Sequence, residues 1–261
     1  SYAFNGCSGF NCSLKLPENL KMINNYAFGF CSGFHGSLEI KQHIIHIGNG
    51  AFKNCYGFNE SLVIYNIETK IGSSAFYNCS GFRGSLMIPR LINTIKKYTF
   101  FNCSGFSGPL ILPTKLNKIG EYAFSNCSGL SESLYIPENT IQICSYAFSG
   151  CTGLNGILTI SQSVKKIGEN AFLSNKFIKI IYYGKLEPLC NNSIGFSHDE
   201  IIFVKKYYQN NSFCSSKVQN CEILQMKKND IKFKYVTTYV IGKDGNLSVG
   251  APYCRGCPNV T

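Results

Sequence analysis

The sequence predicts a solenoid of short, stacked parallel β-strands with few helices and a β-rich C-terminal cap. Three observations predict it: a cysteine recurs every 24 residues, an Ala-Phe pair precedes it, and a Leu-x-Ile/Leu triplet follows it. Repeats of this length arise from stacked supersecondary units, none of which can bury its apolar face alone. The repeated cysteines are Cys7, Cys31, Cys55, Cys79, Cys103, Cys127 and Cys151.

Each coil contains one predicted strand, the Leu-x-Ile/Leu triplet. Its alternation of apolar and variable residues is typical of a strand with one buried face. Proline often follows the triplet, where a residue without an N–H can end a ladder. Neighbouring strands are expected about 5 Å apart, so about eight coils predict a rod roughly 40 Å long.

Two further rows have special backbone requirements. A glycine two residues beyond each cysteine, such as Gly33 or Gly81, predicts either a positive φ or a close approach of backbones. Asn78, Asn102 and Asn126 precede three of the cysteines and belong to Asn-x-Ser sequons. They are consistent either with glycosylation acceptors or with a turn-forming row.

The regular spacing predicts where the domains end. Asn175 occupies the position of the cysteine, and the 24-residue spacing breaks there. Further on, Gly242 to Asn246 is a turn signal between two alternating segments, which predicts a hairpin. The predicted parts are a solenoid of about eight coils at 1–205, a C-terminal cap at 206–221, and a β-hairpin appendage or the start of a following module at 222–261.

The repeat resembles that of a known family. The run from Ala75 to Ile95, Ala-Phe-x-x-Cys-x-Gly-Phe-x-Gly-Ser-Leu-x-Ile-Pro followed by an Ile, is similar to the BspA-type leucine-rich repeat. The resemblance covers about residues 1–205 and implies a leucine-rich-repeat solenoid with a binding role. Proteins of that family are mostly surface antigens and adhesins. The resemblance therefore implies a cell-surface or secreted location, with host-cell, extracellular-matrix or microbial proteins as partners.

The charge balance limits the other partners. The net charge is +11, from 25 Lys plus Arg against 14 Asp plus Glu. This excess is consistent with solubility alone or with binding of acidic glycans or acidic proteins. No nucleic-acid motif is present and no apolar run reaches 18 residues, so neither a nucleic-acid partner nor a membrane span is predicted. Lysines recur just before the last apolar residue of a coil, at Lys70, Lys118, Lys165 and Lys166.

The cysteines fall into two groups. Equivalent Cβ atoms in neighbouring coils are expected about 5 Å apart, beyond the roughly 3.5–4.5 Å of a disulfide, so the repeated cysteines are predicted to be free buried thiols. Cys190, Cys214 and Cys221 lie near the C-terminal end of the array, where a bridge is feasible, and we predict a disulfide between Cys214 and Cys221. The pair Cys254 and Cys257 is interpreted as a local disulfide or as an unpaired fragment of a cysteine-rich following module, with half a zinc site or a redox pair as alternatives. No metal or cofactor is predicted.

The binding surface is predicted on two rows of variable residues. The residue between the two inward residues of each strand points outward, and four neighbouring ones are apolar. This row is either a contact surface, a consequence of strand propensity, or a face covered by a second copy. Tyrosines before the Ala-Phe pair form the second row, which either holds a sugar ring or shields the core edge. The predicted partner-binding residues are Val63, Met87, Ile111, Tyr135, Thr159, Tyr98, Tyr122 and Tyr146, and Lys15 and Glu39 continue the first row.

Catalytic motifs are missing from the sequence. The glycines follow the repeat and form no phosphate loop, and there is no Gly-x-Ser-x-Gly elbow. The sequence therefore predicts a non-enzymatic cell-surface binding protein, an adhesin. The alternatives are an intracellular or periplasmic interaction scaffold that binds itself or another protein, and a redox or metal module at Cys254 and Cys257. The chain begins within a coil without an initiator Met, so we expect it to be part of a longer protein.

Overall fold

The computed structural model describes residues 1–190 and, beyond them, residues 194–196, 202–204, 208–210, 212–214, 216–217, 239–241 and 247–249. The described residues form twenty short β-strands and no helix. They confirm the predicted solenoid of parallel strands. The chain divides into two units, Ser1–Cys221 and Glu222–Thr261.

The first sheet is built from the predicted Leu-x-Ile triplets. Its strands pair in parallel within two ladders: one joins residues 38–40 to 62–64, and the other runs from 134–136 through 157–160 and 179–182 to 202–204. Between these ladders the triplets at 86–88 and 110–112 form no strand, and Pro109 and Pro113 flank the second of them without donating hydrogen bonds. The strands are β2 (Leu38–Ile40), β4 (Leu62–Ile64), β10 (Leu134–Ile136), β12 (Ile157–Ile160), β14 (Lys179–Tyr182) and β16 (Ile202–Val204). A separate short parallel pair is formed by β7 (Gly108–Pro109) and β9 (Leu130–Ser131).

A second sheet runs along another face of the solenoid, where the sequence predicted only an apolar row. Each of its strands has two residues, of which the second points into the core. Its strands form two parallel ladders, one of three strands between residues 22 and 71 and one of five strands between residues 94 and 190. The strands are β1 (Met22–Ile23), β3 (His46–Ile47), β5 (Lys70–Ile71), β6 (Thr94–Ile95), β8 (Lys118–Ile119), β11 (Gln142–Ile143), β13 (Lys166–Ile167) and β15 (Leu189–Cys190).

The core is organised around two columns of stacked phenylalanines. In the column from the Ala-Phe pairs, Phe52 and Phe76 stack with ring centroids 5.6 Å apart and planes 3° apart. In the second column, Phe58 and Phe82 lie 5.3 Å apart, and Phe82 meets Phe76 edge to face. All four rings are fully buried. Burial of a phenylalanine contributes roughly 1.5–3 kcal/mol, so these columns are a main source of cohesion between coils.

The corners of the coils use two rows of left-handed residues. Asn78, Asn102 and Asn126 have φ of 56°, 55° and 60°, which supports the turn-forming interpretation of this row. The side-chain amide of Asn102 donates to Oδ1 of Asn78 at 2.5 Å, and that of Asn78 donates to Asn54 at 3.0 Å. The second row contains tyrosines, Gly50, Ser74 and Asn170, all with φ between 50° and 63°.

From Gly33 to Gly153, the glycine after each repeated cysteine is required by close approach and not by its φ. A Cβ built on Gly81 would lie 2.1 Å from the carbonyl oxygen of Phe58 and 2.2 Å from that of Tyr56. On Gly33 it would lie 1.7 Å from the carbonyl oxygen of Phe10. Neither glycine has a positive φ. Any larger residue would push neighbouring coils apart.

The repeated cysteines are free thiols, as predicted; Cys7 is exposed and not buried, whereas the other six are buried and link coils by hydrogen bonds. Each thiol donates to the carbonyl oxygen of the phenylalanine 27 residues earlier; the Cys127 Sγ lies 3.0 Å from the oxygen of Phe100. Burial raises the pKa of Cys55 and of Cys127 to about 12. The thiols are therefore both apolar fillers and neutral donors.

The C-terminal end of the stack corrects one cysteine prediction. Cys214 forms a disulfide with Cys190 and not with Cys221. The bonded pair is 24 residues apart and its Cα atoms lie 5.4 Å apart, within the usual range, so neighbouring coils approach closely enough for a bridge here. Cys221, Cys254 and Cys257 lie outside the described residues.

Aromatic residues close the core next to this disulfide. Phe213 is fully buried, and its ring centroid lies 4.8 Å from that of Tyr182. Tyr208 meets Tyr182 edge to face and donates its hydroxyl to the Ser212 carbonyl at 2.7 Å. A short antiparallel pair, β17 (Ser212–Phe213) and β18 (Ser216–Lys217), belongs to this end.

Residues 239–241 and 247–249, which are the described part of the second unit, form an antiparallel strand pair. The strands are β19 (Tyr239–Ile241) and β20 (Leu247–Val249), on either side of the turn that the sequence predicted at 242–246. Across the described parts of both units, no helix has the length and hydropathy needed to cross a membrane.

Candidate binding surfaces

The outward residues of the first sheet form a row that we call the strand face. Strand register places Glu39 beside Val63, and Tyr135, Thr159, Ile181 and Phe203 side by side. Met87 and Ile111 occupy the equivalent positions in the coils between, flanked by buried residues. The strand face comprises Glu39, Val63, Met87, Ile111, Tyr135, Thr159, Ile181 and Phe203.

Most of the predicted residues of the strand face reach solvent. Ile111 is 47% exposed, and Val63, Met87 and Tyr135 are half-buried. Thr159 is different: it is only 7% exposed, so the prediction that it offers a contact surface is wrong. Its short side chain lies between Tyr135 and Ile181. Burial raises the pKa of the Tyr135 phenol, and the nearby Tyr183 raises it further.

A count based on the 24-residue period does not find two members of the strand face. Ile181 and Phe203 are half-buried and continue the row beyond Thr159. They follow their predecessors by 22 residues instead of 24, so a fixed period does not place them. The alternation within Lys179–Tyr182 and Ile202–Val204 is the signal that could have found them. Lys179 Nζ lies 3.9 Å from the ring centroid of Phe203, which adds a cation to this end.

The opposite end of the strand face is charged. Lys41 Nζ donates to a carboxylate oxygen of Glu39 at 2.8 Å and lies 3.6 Å from Glu18. The hydrogen bond with Glu39 raises the pKa of Lys41. Burial raises the pKa of the neighbouring Tyr65 phenol. The strand face thus passes from an ion-paired end to a largely apolar stretch.

The predicted tyrosine row is a stacked column. Tyr122 lies 5.0 Å from Tyr98 and 4.7 Å from Tyr146 between ring centroids, with planes 6° and 1° apart. Both faces of Tyr122 are therefore covered by other tyrosines, which leaves its edge and hydroxyl for contact. Burial raises the pKa of Tyr98 and of Tyr122. This geometry favours the core-edge interpretation over a sugar ring stacked on Tyr122.

A neighbouring aromatic pair was not predicted. Tyr77 and Phe101 stack 4.7 Å apart, and Phe101 meets Tyr98 edge to face at 5.7 Å. Lys53 Nζ lies 4.7 Å from the Tyr77 ring centroid. No repeated pattern marks the pair, because the equivalent residues in the other coils are Asn5, Gly29, Lys53, Ser125, Ser149 and Leu173. These rings widen the tyrosine column on one side.

The outward residues of the second sheet form a basic groove. Strand register places Lys118 between Thr94 and Gln142, and Gln142 beside Lys166. The groove has a volume of about 580 Å³, and Lys96 and Lys97 also line it. Because the lysines at 118 and 166 occur on alternate strands, one side of the solenoid has a regular positive row.

One group of side chains has the composition of a metal site. The ligand atoms of Glu187, Cys190 and Cys214 lie within 4.8 Å of one another. The two sulfurs are joined in the disulfide, and a carboxylate oxygen of Glu187 accepts the Cys214 backbone N–H. Bonded sulfurs do not provide the thiolates that a zinc ion requires. The cluster is therefore explained as a closing element of the stack.

These features define a leucine-rich-repeat solenoid: the coils stack through Leu-x-Ile strands, thiols link successive coils, and outward side chains form rows along the stack. The chain belongs to the family of the BspA type leucine rich repeat region, whose model matches residues 1–107 and 117–239 in six copies. Leucine-rich repeats of this kind are generally non-enzymatic binding scaffolds. No curated protein matches the chain in sequence.

Three solved structures share the fold. A leucine-rich repeat protein of T. pallidum aligns over 61% of this chain and 74% of its own, at 23% identity and a TM-score of 0.50. A leucine-rich repeat protein from Bacteroides ovatus ATCC 8483 aligns over 82% and 61%, at 19% identity and a TM-score of 0.56. The pneumococcal vaccine antigen PcpA aligns over 78% and 60%, at 16% identity and a TM-score of 0.52. The chain thus spans less than two thirds of the length of the last two.

Proposed function

We propose that this chain is part of a non-enzymatic surface protein, an adhesin, that binds protein partners through the strand face. One observation carries the proposal: Val63, Met87, Ile111 and Tyr135 form an unbroken outward row of apolar side chains over four successive coils. Contiguous exposed apolar residues mark contact surfaces more often than single ones do. Host-cell or extracellular-matrix proteins are the proposed partners.

The location at the cell surface is supported by the disulfide. Bonds such as Cys190–Cys214 form and persist in oxidising compartments and are rare in the cytosol. Membership of the BspA-type family and the fold shared with a vaccine antigen agree with that location. The disulfide argues against an intracellular scaffold, whereas a periplasmic scaffold remains the second candidate. A module centred on Cys254 and Cys257 would lie outside the described residues.

Variants of the strand face test this proposal. Binding of the purified chain to cultured epithelial cells and to immobilised matrix proteins is compared with that of a Met87→Glu, Ile111→Lys, Tyr135→Ser variant. The matched control is Ile45→Glu, Ile67→Lys, Ile141→Ser, because these three isoleucines are 52%, 52% and 43% exposed outside the strand face. Circular dichroism verifies the fold of both variants.

The proposal predicts a loss of at least about 100-fold in affinity for the strand-face variant, since buried aromatic and aliphatic anchors dominate interface energies. The control variant should bind within about threefold of the wild-type chain. Equal losses in both variants, or none in either, would remove the strand face as the contact. Binding by neither wild type nor variants would contradict the adhesin role itself.

A further inference from the structure

The basic groove on the second sheet has a regular charge spacing. Lys118 and Lys166 lie on strands two apart in one ladder, which separates their Cα atoms by about 9–10 Å. The intervening outward residue is Gln142, and Thr94 precedes Lys118. The row thus alternates a cation with a neutral hydrogen-bonding side chain along the axis of the solenoid.

Among the described residues, lysines outnumber carboxylates in the lining of the groove. Lys96, Lys97, Lys118 and Lys166 line it, against one carboxylate, Glu121. None of these lysines forms an ion pair with another described residue. The groove therefore retains an uncompensated positive field that attracts anions, and salt screens that field.

Other groups in the groove respond to the same field. Cys144 lies in its lining, and the charges of Lys118 and Lys166 both act to lower the pKa of its thiol, against the larger effect of burial, which raises it. Further along the second sheet, burial and then the charges of Lys96 and Lys70 lower the pKa of His46.

We propose that this groove binds a linear acidic polysaccharide whose anionic groups repeat once per disaccharide, with one repeat spanning two coils. A polymer of this kind matches an alternating row of cations and neutral donors better than a nucleic acid does. Duplex DNA carries one charge per about 1.7 Å of its axis, a much denser array than the lysine row. The groove and the strand face belong to different sheets, so this inference does not depend on the proposed protein-binding role.

Chondroitin sulfate, hyaluronan, uncharged dextran and single-stranded DNA are the probes. We expect the whole chain to bind at least one acidic polysaccharide at low salt, more tightly than DNA of matched charge, and not to bind dextran. Hyaluronan distinguishes the source of the anion, because it offers carboxylates without sulfates. Affinity should fall steeply with salt. DNA binding as tight as that of the polysaccharides would overturn the choice of ligand.

Charge removal tests the position of the site. Lys118→Gln with Lys166→Gln is expected to weaken polysaccharide binding at least tenfold. The control, Lys176→Gln with Lys185→Gln, removes the same charge from exposed lysines that do not line the groove, and should change affinity less than twofold. The strand-face variant should retain polysaccharide binding. Equal effects of the two lysine pairs would show attraction by net charge alone and overturn the proposed site.

Charge relocation tests the spacing. Lys118→Gln combined with Gln142→Lys preserves the net charge but places the two lysines on adjacent strands, about 5 Å apart. The proposal predicts that this variant binds as weakly as the double Gln variant. Affinity equal to wild type would overturn the two-coil spacing.

Discussion

The Cys103 thiol donates a hydrogen bond to the carbonyl oxygen of Phe76, 27 residues earlier, across a 3.0 Å separation between sulfur and oxygen. The same bond recurs between successive coils, so one cysteine per coil both fills the core and binds the previous phenylalanine. Burial raises the pKa of Cys103 well above 9.0. The thiol therefore stays neutral in the folded chain at pH values where it would ionise in the unfolded one.

Alkaline pH should reduce stability through these thiols. Between pH 9 and about 12 the unfolded chain loses protons that the folded chain retains, so the free energy of unfolding falls as pH rises, by up to about 1.4 kcal/mol per pH unit for each thiol. Below pH 9 this contribution is fully present. Urea unfolding from pH 7 to 11 measures it. Cys103→Ala should lower the free energy of unfolding by about 1–2 kcal/mol at pH 7. It should also remove the contribution of one thiol to the fall of that free energy above pH 9, and an unchanged pH dependence would contradict this explanation.

Close approach of coils should make Gly81 intolerant of a side chain. Gly81→Ala places a Cβ 2.1 Å from the Phe58 carbonyl oxygen and should lower the free energy of unfolding by at least about 2 kcal/mol. Gly9 is the matched control, because it occupies the same repeat position and a Cβ there meets no atom within 4 Å. Gly9→Ala should stay within about 0.5 kcal/mol of wild type in thermal or urea unfolding. Similar losses in both variants would refute this explanation of the glycine row.

The tyrosine column should be sensitive to backbone conformation as well as to stacking. Tyr122 has a φ of 52°, which a β-branched residue adopts only with strain of about 1–3 kcal/mol. Tyr122→Phe retains the stacking and should be nearly neutral. Tyr122→Val should cost about 2–4 kcal/mol, and Tyr122→Asn should fall between them, because asparagine tolerates this φ but cannot stack. Chemical denaturation measures the free energy of unfolding of the three variants. If Tyr122→Val is no less stable than Tyr122→Asn, the positive φ does not matter at this position.

The disulfide should stabilise the C-terminal end of the solenoid. Peptide mapping without reduction should find Cys190 linked to Cys214. Reduction, or a Cys190→Ala, Cys214→Ala variant, should cost about 3 kcal/mol, as expected for a closed loop of some two dozen residues. Cys144→Ala serves as the control, since Cys144 is a free thiol. Mapping that finds Cys214 free or joined to another cysteine would overturn this assignment.

A constant repeat made much of the fold predictable. The period of 24 residues placed four of the first-sheet strands, Leu38–Ile40, Leu62–Ile64, Leu134–Ile136 and Ile157–Ile160, and the free thiols, since each follows from local spacing. The second sheet escaped prediction because a strand of two residues, such as Lys118–Ile119, is too short to alternate. The Cys190–Cys214 bridge was missed for another reason: equivalent residues in neighbouring coils were expected to lie too far apart for a disulfide, whereas these two cysteines are 24 residues apart and their Cα atoms lie 5.4 Å apart.

The binding surfaces were predictable only in part. Alternation identified Val63 to Tyr135 as outward, but the burial of Thr159 depends on the size of its neighbours in adjacent coils, which a single strand does not reveal. The stacking of Tyr77 on Phe101 involves a position that is not aromatic in most coils. The lysine row was visible in sequence, whereas its two-strand spacing required the register of the second sheet.

Hydroxyl-radical footprinting of the native chain, with and without a matrix protein that binds it, tests the strand face most directly. Met87 and Tyr135 lie on that face, and their side chains are readily oxidised. Met22 and Tyr56, 47% and 53% exposed elsewhere on the solenoid, are internal controls. We predict that complex formation lowers the oxidation rates of Met87 and Tyr135 at least threefold and leaves Met22 and Tyr56 unchanged. Protection of Met22 or Tyr56 with Met87 and Tyr135 unaffected would contradict recognition by the strand face.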